Sequence, residues 1–141
     1  MKKNYNRIQF LKLAIEQAKI NLGSTGTNPS VGCVVEKNGS IISAGYTSLN
    51  GRPHAEFNAL KKNISFKNAN LFVTLEPCSH FGKTPPCTNL IIKKKIKKVF
   101  FSTFDSNPLT AYKSLRILKS KKITVNSKML SNYGKHFYSS Y

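Results

Sequence analysis

His54, Glu56, Cys78 and Cys87 are the residues whose types and spacing suit bond-breaking chemistry. Divalent zinc takes four tetrahedral ligands, and a site with three protein donors leaves one position for a water that the metal makes acidic. His54, Cys78 and Cys87 supply one imidazole and two thiolates for such a site. Glu56 lies two residues after the histidine, and a carboxylate beside a zinc-bound water can take its proton and pass it to a departing nitrogen. The expected chemistry is hydrolytic deamination with Zn2+ as cofactor. A purely structural zinc site would use a fourth protein ligand and would have no need of the neighbouring glutamate.

The spacing constrains the elements that carry these residues. Positions i and i+2 of an ideal helix point about 200° apart, so His54 and Glu56 can meet only around a helix end. Pro53 suits the first helical position, and the residues that follow are good helix formers, which predicts a helix opening with His54 and running to about Asn63. Pro77 before Cys78 makes the same suggestion for a second helix, whose dipole would favour thiolate over thiol. Two helix ends are therefore expected to face one metal.

Elsewhere the apolar spacing of Ile8, Leu11, Ala14, Ile15, Ala18 and Leu22 predicts a helix over residues 5–22, stopped by Gly23. Val31 to Glu36 reads as a buried strand, Asn38-Gly39 as a hairpin turn, and Ile41 to Tyr46 as the return strand. Further strands are expected at 71–75, 99–102 and 123–125, and helices at 88–95 and 109–119. The third strand delivers the chain to Glu76-Pro77-Cys78, placing the chemistry at its carboxyl end. Alternation of helices with short strands predicts a three-layer α/β/α sandwich around a mixed five-stranded sheet. The tail, 127–141, is polar with several aromatics and fits either a short packed helix or an interface.

At 141 residues the chain is expected to form one domain, 1–141. Its apolar runs are far too short to span a bilayer, no apolar signal region follows the N-terminal charges, and a cytoplasmic location is expected. With three cysteines, two of them in the metal motif, a disulfide framework is not expected; Cys33 reads as a buried small hydrophobe. The formal charge of +18 invites a nucleic-acid partner. The lysines are spread along most of the chain, however, and the dense run Lys93 to Lys98 falls at a predicted helix end, where cations complement the dipole. A solvated basic surface is the expectation, with nucleic acid not a partner; the field would still favour an anionic substrate. His136 is expected on the surface.

His-x-Glu followed by Pro-Cys is similar to the signature of zinc nucleobase deaminases, and so to the cytidine-deaminase-like superfamily. Most members of that superfamily separate the two cysteines by two residues; here eight intervene. The string Thr74-Leu75-Glu76-Pro77-Cys78-Ser79-His80-Phe81-Gly82-Lys83-Thr84-Pro85-Pro86-Cys87 closely resembles the deaminase domain of riboflavin biosynthesis, as do Thr27-Asn28-Pro29-Ser30-Val31-Gly32-Cys33-Val34-Val35 and Gly51-Arg52-Pro53-His54-Ala55-Glu56, in the same order.

The resemblance implies that Asn28 helps hold a pyrimidine, that Ser79, His80 and Lys83 contact a ribose phosphate, and that Asp105 and Asn107 belong to a further substrate segment. An amide pairs with a base edge, and lysine suits a phosphoester. Asn28, Asp105 and Asn107 are also ordinary turn formers, and His80 and Lys83 ordinary loop residues. The chain departs from the family at Thr47, where a histidine is common, at Ser106, and at Ala111-Tyr112-Lys113-Ser114, where the family has a glycine-rich turn.

The implied reaction is deamination of 2,5-diamino-6-(5-phosphoribosylamino)pyrimidin-4(3H)-one to the 5-amino uracil compound. The family is often fused to a reductase, so the resemblance implies either a separate reductase as partner or a lone deaminase, and a homo-oligomer is compatible with the fold. The rival readings are a deaminase of another nucleotide or nucleic-acid base, and a catalytically silent zinc-stabilised nucleic-acid-binding domain.

Overall fold

The structure is a computed structural model, and it describes residues 2–79, 82, 84–106 and 111–139. Helix α1 (Lys2–Lys19) leads into strands β1 (Gly32–Lys37) and β2 (Ser40–Tyr46), then helix α2 (Ala55–Leu60), β3 (Asn70–Val73), α3 (Cys87–Lys93), β4 (Lys98–Phe101), α4 (Lys113–Ser120), β5 (Thr124–Asn126) and α5 (Ser131–Phe137). The strands form a mixed five-stranded sheet in the order β2-β1-β3-β4-β5. β1 is antiparallel to both neighbours, and β3, β4 and β5 run parallel.

Strand side chains alternate between two cores, as a period of two requires. Cys33, Val35, Leu71, Val73, Val99 and Phe101 face Ala59, Leu60, Ile91 and Leu118 of α2, α3 and α4. Val34, Phe72 and Phe100 face Leu11 and Ala14 of α1, with Met129 and Leu130 from the segment before α5. The result is the expected α/β/α sandwich. Phe72 and Phe100 stack at 4.6 Å, and Cys33 is fully buried.

Two glycines set how closely the helices lie on the sheet. A Cβ at Gly45 of β2 would stand 2.6 Å from the Ala55 carbonyl oxygen and 2.6 Å from the Ala59 nitrogen, so α2 packs directly on β2 backbone. A Cβ at Gly32 would collide with the Ala14 carbonyl of α1.

Several expectations are corrected. α1 ends at Lys19, not Leu22, because the Ser30 hydroxyl takes the Ala18 carbonyl and the chain turns; Leu22 is exposed. The helix after Pro53 is shorter than expected, stopping at Leu60, and His54 is its N-cap in extended conformation, so Pro53 precedes the cap. No helix starts at Cys78; the second helix opens at Cys87, with Pro86 as N-cap. α4 runs 113–120; the expected start at Leu109 lies outside the described residues. The tail does contain a helix, α5. Among the described residues no helix is long and apolar enough to cross a membrane.

Candidate active site

Two helix starts and one loop converge at the carboxyl ends of β3 and β4. The chain leaves β2, passes a 3-10 turn at Leu49–Gly51 and reaches His54 through a cis Arg52–Pro53 bond. Asn58 of α2 fixes this approach by donating from its amide to the carbonyls of Tyr46 (2.8 Å) and Pro53 (3.3 Å) and to the Ser48 hydroxyl (2.9 Å). Cys78 replaces the missing cap of α3. Its sulfur accepts the Cys87 N–H at 3.1 Å and its carbonyl accepts the Thr88 N–H at 3.2 Å, two donors that a helix start otherwise leaves unpaired.

His54 Nδ1 stands 3.8 Å from Cys78 Sγ and 3.6 Å from Cys87 Sγ, and one ligand atom from each of the three lies within 4.8 Å of the others. One nitrogen and two sulfurs at these separations suit a tetrahedral metal with a soft-donor preference. The hydrogen bond from Cys87 pulls the Cys78 thiol down to about 4, and the same bond, with burial, pushes Cys87 up. Of the two cysteines, Cys78 is thus the one that favours the thiolate. The bond to Cys78 raises His54.

Glu56, on the first turn of α2, is 4% exposed. Burial pushes its carboxyl up to about 7, and the neighbouring Cys78 charge adds to the shift. A carboxyl there can accept a proton and release it again near neutrality.

Glu56, His54 and Cys78 open on a cavity of about 130 Å³. A larger, more apolar hollow of about 320 Å³ lies behind His54 and Cys87, against Phe57, Pro85, Pro86 and Leu90, without Glu56 in its wall. The smaller cavity is the one with acid/base chemistry. Asn28 and Asp105 line it. The Asn28 amide also donates to the Gly51 carbonyl at 3.0 Å, so it supports the loop it faces. Ser79 is half-buried beside Cys78 and is not in the cavity wall. His80, Lys83 and Asn107 lie outside the described residues.

Sequence reasoning gives no role to two residues of the wall, Arg52 and Glu76, and marks a third, Thr47, only as a departure from the family. Thr47 Oγ1 accepts the Val31 N–H at 2.8 Å and so continues the β1–β2 edge into the cavity. Glu76, 6% exposed, accepts the N–H groups of Asp105 and Tyr112, both at 3.2 Å, and the Ser114 hydroxyl at 2.7 Å. Its place before Pro77-Cys78 was the available signal.

The sequence profile of the cytidine and deoxycytidylate deaminase zinc-binding region matches residues 4–103, most of the chain, with His54, Glu56, Cys78 and Cys87 inside the match. The chain belongs to that deaminase family. Within the family it is 41% identical over 133 residues to the diaminohydroxyphosphoribosylamino-pyrimidine deaminase of Buchnera aphidicola from Acyrthosiphon pisum, covering 94% of this chain and 90% of that protein. It is 48% identical over 118 residues to the riboflavin biosynthesis protein RibD of Aquifex aeolicus, covering 83% of this chain but 33% of that longer protein. A solved Thermotoga maritima structure, a diaminohydroxyphosphoribosylaminopyrimidine deaminase/5-amino-6-(5-phosphoribosylamino)uracil reductase, superposes with a TM-score of 0.87 at 41% identity, covering 94% of this chain and 39% of that one. The chain thus spans 33% and 39% of these two longer relatives and 90% of the Buchnera protein.

Proposed function

We propose that the chain hydrolytically deaminates 2,5-diamino-6-(5-phosphoribosylamino)pyrimidin-4(3H)-one, giving 5-amino-6-(5-phosphoribosylamino)uracil and ammonia in riboflavin biosynthesis. The observation that carries this reading is the match to the Buchnera deaminase over nearly the full length of both chains. The grouping of His54, Cys78 and Cys87 beside a buried Glu56 supports it chemically.

His54, Cys78 and Cys87 would hold zinc, whose donor preference they match. Bound there, zinc supplies a water acidic enough to ionise near neutrality. Glu56 accepts the proton of the attacking water and returns it to the departing amine nitrogen. The raised affinity of its carboxyl for a proton suits both transfers. Asn28 and Asp105 in the wall orient the pyrimidine, Ser79, His80 and Lys83 from the cysteine loop serve the ribose phosphate, and Asn107 joins Asp105 on the substrate segment. In the Thermotoga protein the name pairs this deamination with a reduction of the uracil product. A cytoplasmic setting, with its supply of phosphorylated substrate, fits this role.

Ammonia release from the ribotide by zinc-loaded protein tests the assignment, with Glu56→Gln alongside. Turnover that disappears in the variant while zinc content and melting temperature hold is the expected result. Appreciable activity in the variant would overturn the role of Glu56, and absence of turnover in the unaltered protein would overturn the substrate.

A further inference from the structure

Arg52 is the one cationic arginine or lysine among the described residues lining the cavity, and nothing above gives it work. It extends from the short segment between the 3-10 turn and His54, with its backbone extended. Its guanidinium reaches across to the loop joining the two cysteines, where Nη1 donates to Thr84 Oγ1 at 3.0 Å. Gly82 of the same loop lies under the fork; a Cβ there would be 3.5 Å from the second terminal nitrogen. No carboxylate neutralises it: the ion pair found among the described residues joins Lys19 and Glu16.

The rest of the cavity has the opposite character. Glu56, Glu76 and Asp105 line it, and Glu76 already accepts three hydrogen bonds. An anionic group entering this space has one favourable end, the side where Arg52 meets the cysteine loop. A guanidinium offers five N–H donors in a planar fork matched to phosphate oxygens, and among the described residues Thr84 engages one of them. The Thr84 hydroxyl, accepting from Arg52, keeps its own hydrogen to donate.

We propose that Arg52 selects a phosphorylated substrate: its guanidinium, steadied by Thr84, takes the phosphate monoester at the mouth of the cavity and turns the amine-bearing ring inward to Glu56. This rests on the proposed function for its substrate and adds a specificity-determining residue to that site.

The test compares the unaltered protein with Arg52→Gln, Arg52→Lys and Thr84→Val, each zinc-loaded, on the ribotide and on the same compound without its phosphate. Arg52→Gln should raise KM for the ribotide about tenfold or more, with kcat within about twofold and the dephosphorylated compound unaffected. Arg52→Lys should recover part of the loss, because it keeps the charge without the fork. Thr84→Val should raise KM less. Equal effects of Arg52→Gln on both compounds, or none on the ribotide, would overturn the proposal. Calorimetric binding of ribose 5-phosphate separates this inference from the reaction itself. Binding by the unaltered protein and not by Arg52→Gln sustains the role of Arg52 even if no turnover is seen; equal binding by both, or none by either, refutes it.

Discussion

Cys87 donates its backbone N–H to the sulfur of Cys78, at 3.1 Å. The start of α3 therefore prepares the thiolate of the other cysteine, while the Cys87 thiol keeps its proton.

Metal uptake must remove that proton. Zinc binding should release protons chiefly from Cys87, whose thiol is pushed up by its bond to Cys78 and by burial, while Cys78 favours the thiolate. Apparent affinity should rise about tenfold per pH unit while one proton is displaced. Calorimetric titration in two buffers of different ionisation enthalpy measures the proton count; a count of zero would show that both thiols are ionised beforehand.

Glu76 holds the 103–114 segment to the catalytic loop through three accepted hydrogen bonds and its own N–H to the Thr103 carbonyl. Glu76→Ala strands these donors and should cost about 2–4 kcal/mol. Glu76→Gln keeps an oxygen for the two backbone N–H groups and should cost about 1 kcal/mol. Denaturant unfolding of the two variants gives both numbers. KM should rise in parallel, because Asp105 is among the groups held.

Tyr138 closes a chain of hydrogen bonds from the tail to the start of β1. The Gly32 N–H donates to Thr74 Oγ1, the Thr74 hydroxyl to the Tyr138 oxygen (2.6 Å), and the Tyr138 hydroxyl to the Ser30 carbonyl (2.7 Å). Tyr138→Phe should lower stability by about 1–2 kcal/mol, a fall of roughly 3–8 °C in Tm. A thermal melt within a degree of the unaltered protein would show that water replaces the hydroxyl.

Gly45→Ala forces a methyl into the backbone of α2. A loss of about 2 kcal/mol or more is expected, together with less zinc retained per chain, since His54 and Glu56 ride on that helix. Melting curves and metal analysis on the same preparation show whether the two losses go together.

Much of this was legible in advance, for physical reasons. The alternation of Cys33, Val34 and Val35, and of Leu71, Phe72 and Val73, states which strand residues meet which helix layer, and burial obeys it. His54 and Glu56 had to meet at a helix end, and they do. The helix expected at 88–95 opens within one residue of its place, at Cys87 behind Pro86, whereas the entry expected at Cys78 is absent, because a proline is compatible with a helix start without requiring one. Arg52 to Thr84, Glu76 to Ser114 and Tyr138 to Ser30 join residues 32, 38 and 108 positions apart, and no local pattern encodes them. The tail was left between helix and interface for that reason; its helix packs Gly134 against Ser102, and its aromatic hydroxyl reaches β1.

The bond from Tyr138 to Ser30 also orders events during synthesis. Asn28, Pro29 and Val31, which wall the cavity around Ser30, are made early, yet their clamp comes from a residue made more than a hundred positions later. On the ribosome the metal ligands and Glu56 can all have emerged while this wall still lacks its last fastening. The cavity wall is therefore fastened by a residue made long after the wall itself.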